Sequence, residues 1–223
     1  MTTNLSSART RIKICGLTRA QDVRACAQSG ADALGFVFYP PSKRFVSAVL
    51  AAELCAGLPA FISTVALFVN PDPQAVKDVI HTLRPSLLQF HGDEDPGFCE
   101  SFGLPYLRAF RVGGPGLDTA ANVAKTCQGF SQAAGWLFDS YTPAFGGSGQ
   151  GFDHTLLSAV SSAQGTARPM ILSGGLNAQN ARVAVQGLKP WAVDVSSGVE
   201  ESPGVKSAQK IDEFVQAIHQ ASV

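Results

Sequence analysis

Arg11-Ile12-Lys13-Ile14-Cys15-Gly16-Leu17-Thr18 decides the fold. Ile12–Cys15 is short, β-prone and stopped by glycine, so it reads as a strand with a thiol at its carboxyl end. The same strand-then-helix unit recurs to the end of the chain. Predicted strands are Ala33–Phe38, Thr64–Val69, Leu87–His91, Tyr106–Val112, Trp136–Asp139, Met170–Ser173 and Ala192–Ser196. Helices are predicted over Arg19–Ser29, Ser47–Ala56, Pro73–Leu83, from near Asp95, Asp118–Cys127, Asp153–Ser162, after a cap at Asn177, and Val205–His219. The strands are near-continuous apolar runs, as parallel strands covered on both faces should be. Alternation of this kind predicts an α/β fold with a parallel sheet. Eight units favour a single (β/α)8 TIM barrel over an open doubly wound sheet, and no GxGxxG follows the first strand.

The chain has 223 residues, 45% hydrophobic and 15% charged, enough for one large domain with a substantial core. Residues 1–10 are polar and read as a loosely attached tail; residues 11–223 are expected to form the barrel domain that carries any catalytic site. Lys plus Arg and Asp plus Glu are both 17, which leaves no electrostatic footprint for nucleic acid or an anionic membrane. No apolar run reaches membrane-spanning length. The five cysteines show no CxxC pairing, so reduced thiols and a cytoplasmic location are expected, with no metal site. Cys26, Cys55, Cys99 and Cys127 fall on helices and read as packing.

In a closed barrel all strand carboxyl ends meet at one rim, where chemistry sits. Cys15 and Asp139 both end strands, so one cavity can hold a thiol and a carboxylate. A cysteine also simply fills buried space, and position alone leaves both readings open. Lys13 lies two residues before Cys15 and shares its strand face. Inside a barrel its ammonium needs a partner, and Asp194 on the last strand is the obvious one. The alternative for Lys13 is a solvated strand end.

Glycine clusters follow the last three strands: Gly146-Gly147-Ser148-Gly149, Ser173-Gly174-Gly175 and Ser196-Ser197-Gly198. Any one serves a turn, but three together suit a phosphate held by backbone N–H groups. Arg44, in Ser42-Lys43-Arg44, is either an ordinary solvated cation or a two-pronged carboxylate clamp. Gln89 and His91 share a strand face and can line the same cavity. His81, His154 and His219 read as surface residues.

These residues, with Gln89-Phe90-His91-Gly92-Asp93-Glu94, Phe138-Asp139-Ser140, Leu172-Ser173-Gly174-Gly175 and Val193-Asp194-Val195-Ser196-Ser197-Gly198-Val199-Glu200, resemble the phosphoribosylanthranilate isomerase family of tryptophan biosynthesis. The resemblance implies an Amadori rearrangement of a small phosphorylated substrate without cofactor or metal. It implies Asp139 as general acid and Cys15 as general base, with Arg44 on the anthranilate carboxylate. His91 and Asp194 would lie at the sugar, and Gly174, Gly175, Ser197 and Gly198 at the phosphate. It expects the Asp139 carboxyl raised and the Cys15 thiol lowered, the pattern of an acid–base pair. A related aminoaldose isomerase with an aspartate at the first strand, and a non-catalytic sugar-phosphate binding barrel, are the competing readings. Oligomeric state, monomer or homodimer, is open.

Overall fold

The computed structural model describes residues 9–142, 149, 151–161 and 168–221. Eight parallel strands close into a barrel in chain order. They are β1 (Arg11–Cys15), β2 (Ala33–Val37), β3 (Ser63–Phe68), β4 (Leu87–Phe90), β5 (Tyr106–Val112), β6 (Gly135–Ser140), β7 (Met170–Leu172) and β8 (Ala192–Val195). β8 pairs with β1 and places Lys13 opposite Asp194. The intervening helices are α1 (Ala20–Ser29), α2 (Ala48–Cys55), α3 (Pro73–Leu83), α4 (Pro96–Glu100), α5 (Ala120–Gln128), α6 (Ser158–Ser161) and α7 (Ala181–Leu188). The last, α8, spans Ala208–Ala221.

Local chemistry accounts for most boundaries. The Asp72 carboxylate accepts from Gln74 N at 2.8 Å, and Pro73 opens α3 where a missing N–H costs nothing. Val76, Val79 and Leu83 give α3 its buried stripe. α8 buries Ile211, Phe214, Val215 and Ile218 at helical spacing. Each such burial stabilises by about 1.5–3 kcal/mol.

Strand alternation sorts the core. Ile12 and Ile14 pack outward under the helices, in the large layer that includes Phe36, Phe90, Phe138 and Phe214. Inside the barrel, Val65, Leu107, Ala109, Leu137 and Ile171 fill the lower layer. Cys15, Val37, Leu67 and Val69 form the layer above it. Lys13 and Cys15 therefore both face inward, one layer apart, as their two-residue spacing requires.

Four expectations change. Asn177 does not cap α7; Asn180 holds the cap position, and Asn177 Oδ1 instead accepts from Gln179 N and Asn180 N at 2.9 and 3.1 Å, closing the turn before the helix. The expected sixth helix opens as a 3-10 turn over His154–Leu157. Val205 and Lys206 are not helical: they form β10, paired antiparallel with β9 (Glu200–Ser202). Arg9 and Thr10, placed in the loose tail, are tied down. Arg9 Nη1 donates to Asp32 at 2.8 Å and Thr10 is buried; residues 1–8 lie outside the described residues. Among the described residues no helix is long and apolar enough to cross a membrane.

Candidate active site

The barrel mouth opens into a cavity of about 710 Å³, including its solvent-facing entrance. Cys15, Arg44, His91, Asp139, Asp194, Gly174, Gly175 and Ser197 all line it. Gly198 does not: it packs against Leu176, whose carbonyl oxygen would lie 1.9 Å from an added Cβ. Of the glycine cluster after β6, residues 146–148 lie outside the described residues, while Gly149 borders the cavity.

Cys15 is buried at the end of β1, opposite Gly35 of β2. A Cβ on Gly35 would sit 2.7 Å from Cys15 Sγ, so a side chain there would compete with the thiol for its place. Below it, Lys13 Nζ donates to Asp194 Oδ1 at 2.7 Å, and both side chains are buried. Ser173 Oγ donates to the other Asp194 oxygen at 3.3 Å. The pair resolves the Lys13 alternatives in favour of an internal ion pair. Burial works to lower the Lys13 ammonium, but Asp194 and Cys15 hold it above its ordinary value.

The expected lowering of the Cys15 thiol is overturned. Burial is the largest influence and pushes it up, and the Asp194 charge adds to the rise; Lys13 and Lys206 oppose without prevailing. Val37, Leu67 and Val69 surround the sulfur with hydrocarbon, which penalises a thiolate.

Asp139 ends β6. Its Oδ1 accepts from Ser140 N at 2.8 Å. Its Oδ2 lies 3.3 Å from His91 Nε2, without hydrogen-bond alignment. Gln89 Nε2 lies 3.3 Å from His91 Nδ1. Which of the two donates depends on the His91 tautomer and on the orientation of the Gln89 amide. The turn carrying His91 is fastened by Arg108, which donates to Glu94 at 2.7 Å and to Gly92 O at 2.8 Å. Glu94 in turn accepts from Asn70 N at 2.7 Å and Gly92 N at 2.9 Å. Gly174, with φ +80°, packs so closely on β6 that an added Cβ would lie 2.7 Å from Ser140 N.

Arg44 is neither a solvated cation nor an empty fork. Its Nε and Nη2 donate to the two oxygens of Glu200 at 2.8 and 2.7 Å. Lys206 Nζ reaches the same carboxylate at 2.8 Å. Sequence reasoning gave neither Glu200 nor Lys206 a role at the site. The readable signal was two opposite charges flanking the turn residues Pro203-Gly204, which suits a hairpin that folds its ends together. The four other cysteines lie on helices as expected, and all five thiols are free. Among the described residues no three His, Cys, Asp or Glu side chains converge as a metal site would need.

Fold and cavity place the chain among the barrel enzymes that carry their reactive groups at the carboxyl ends of the strands. A sequence model of N-(5'-phosphoribosyl)anthranilate isomerase matches residues 12–217. The isomerase of that name from Bordetella petrii is 57% identical over 96% of this chain and 96% of its own length. The phosphoribosylanthranilate isomerase structure from Thermotoga maritima superposes with a TM-score of 0.83 at 36% identity, covering 95% of this chain and 99% of that one. Another, solved with reduced 1-(o-carboxyphenylamino)-1-deoxyribulose 5-phosphate, gives 0.81 at 33%, with the same coverage. The chain belongs to the N-(5'-phosphoribosyl)anthranilate isomerase family, the aldose–ketose isomerases of tryptophan biosynthesis.

Proposed function

We propose that this cavity converts N-(5-phosphoribosyl)anthranilate to 1-(2-carboxyphenylamino)-1-deoxyribulose 5-phosphate, with Asp139 as general acid and Cys15 as general base. The observation that carries the reading is that a strand-end thiol and a strand-end carboxyl line one cavity. Asp139 gives its proton to the ring oxygen. The anthranilate nitrogen pushes its electron pair toward C1, the C1–O bond breaks, and an iminium forms. Cys15 then takes the C2 proton, and the electrons return to nitrogen as an enolamine. Loss of the C2 hydroxyl proton and gain of a proton at C1 give the ketone. Substrate nitrogen supplies the electron push, so no cofactor or metal enters the scheme.

The raised Cys15 thiol fits this order. Burial favours the proton on sulfur. A cationic iminium beside it favours the thiolate, adding to Lys13 and Lys206. As the iminium forms, the thiol proton leaves to solvent at the cavity mouth, and the resulting thiolate is free to take the C2 proton. Arg44 keeps Nη1 for the anthranilate carboxylate. Gly174, Gly175 and Ser197 offer backbone at the rim for the phosphate, with Gly198 supporting from behind. His91 and Asp194 face the sugar. The enzyme works in the cytoplasm, as monomer or homodimer.

The test is decay of the fluorescence of freshly generated phosphoribosylanthranilate, with wild type beside Cys15→Ser and Asp139→Asn. A single proton-transfer group contributes about 10² to 10⁴-fold. Losses of that size in both folded variants support the roles; near-normal kcat in either removes that residue from its role.

A further inference from the structure

Arg44 shares its carboxylate partner with a second cation. Lys206 has a fully buried side chain, 0% exposed, and donates to Glu200 Oε1 at 2.8 Å. Its remaining contacts are Ser196 O at 3.0 Å and Ser196 Oγ at 3.3 Å. Burial lowers the Lys206 ammonium from its ordinary value, while Glu200 and Cys15 work to hold the proton on it. The Glu200 carboxylate and the Ser196 carbonyl are acceptors that suit the charged form, and the Ser196 hydroxyl serves either form. The Glu200 side chain is also buried, and Gly204 N donates to it at 3.3 Å.

Charge counting then matters. An Arg44–Glu200 pair alone is neutral, and offers a ligand carboxylate only a dipole. With Lys206 the cluster has two cations on one anion. The surrounding charges do not correct the imbalance. Arg19 and Asp22 satisfy each other at 2.9 and 2.7 Å, and Lys13 and Asp194 do so at 2.7 Å. Lys210 bonds the Glu200 backbone oxygen from the partly exposed side. Of the three clustered side chains, only Arg44 borders the cavity. Its Nη1 makes no hydrogen bond among the described residues. The missing anion therefore belongs where Arg44 meets a ligand.

We propose that Lys206 sets the ligand specificity of the Arg44 subsite: by cancelling Glu200 it leaves Arg44 with net positive charge, so the subsite prefers an aryl group bearing a carboxylate over a neutral one. This rests on the reading of Arg44 as the carboxylate holder. Lys206 acts through Glu200 and is a positioning residue, since it touches neither ligand nor reacting atoms.

The experiment measures the Kd of the reduced product, 1-(2-carboxyphenylamino)-1-deoxyribitol 5-phosphate, and of its phenylamino counterpart without the carboxylate. The proteins are wild type, Lys206→Met, Glu200→Gln and the double variant. Wild type is expected to prefer the carboxylate. Lys206→Met should lose about tenfold or more of that preference, the scale of one charge acting over several ångströms at intermediate dielectric, while binding the neutral ligand as before. The double variant should regain the preference, because Arg44 again stands uncompensated. A merely structural Lys206 would weaken both ligands alike and show no recovery in the double variant.

A wild-type preference retained in Lys206→Met overturns the proposal alone. Equal wild-type affinity for both ligands overturns the Arg44 reading, and the proposal with it. If Lys206→Met does not fold, Glu200→Gln decides: removal of the anion should leave the preference undiminished, and a fall overturns the proposal.

Discussion

Lys13 and Asp194 form an ion pair inside the barrel, 2.7 Å apart and one layer below Cys15. The pair joins the first strand to the last and places a cation beneath the thiol. Lys13→Met would leave the Asp194 carboxylate buried without its counter-ion, at a cost of about 3–5 kcal/mol. It would also remove a charge that restrains the rise of Cys15. We expect a lower urea midpoint and a thiol that ionises at higher pH. Unfolding and thiol-titration curves that both match wild type would refute this.

The Cys15 thiol should behave as a buried thiol until ligand arrives. Burial pushes Cys26, Cys99 and Cys127 up to about 12 and Cys55 to about 11, and raises Cys15 as well. In the empty enzyme, iodoacetamide labelling of the Cys15 peptide should climb from about pH 7 to about pH 9.5, past the ordinary cysteine value, without levelling. A plateau near neutrality, read by mass spectrometry, would mean that the resting site already holds a thiolate.

Glu200 ties stability to pH. Burial works to raise its carboxyl, but Arg44 and Lys206 bring it below its ordinary value of 4.5. A lowered folded value means that the unfolded chain binds the proton more readily. The stabilisation is complete above the unfolded value, about 4.3, and is lost as pH falls through the lower folded one. Urea midpoints should therefore drop more steeply below about pH 4.5 in wild type than in Glu200→Gln. Parallel curves would show that the cluster adds no acid-sensitive stability.

Gly35→Ala should injure turnover more than folding. The added methyl would press on Cys15 itself, hardest on Sγ at 2.7 Å and more lightly on its Cα and Cβ at 3.1 and 3.2 Å. Displacing a reacting group by about 1 Å can cost about 10²-fold in rate. A kcat close to wild type, in a protein with a wild-type melt, would show that the thiol moves aside without loss of function.

The barrel was legible because its signals are long and repeated. β5 and α3 match their expected bounds residue for residue, and the Lys13–Asp194 pairing followed from strand parity and closure. That Cys15, His91, Asp139 and Asp194 would border one cavity was legible for the same reason. What escaped was short or mutual. β9 and β10 have three and two residues, too few for any period to show. Arg44 looked like an open clamp because its partner lies 156 positions away, in that same hairpin. The direction of the Cys15 shift escaped for a different reason: it depends on the hydrocarbon walling the sulfur from β2 and β3, which a strand read singly does not display.

Lys13 and Asp194 are 181 positions apart in the chain. The pair spans the seam where the first strand meets the last, and neither charge finds its buried partner until β1 and β8 lie side by side. Barrel closure and charge neutralisation are therefore one event: the seam cannot seal over a bare ion.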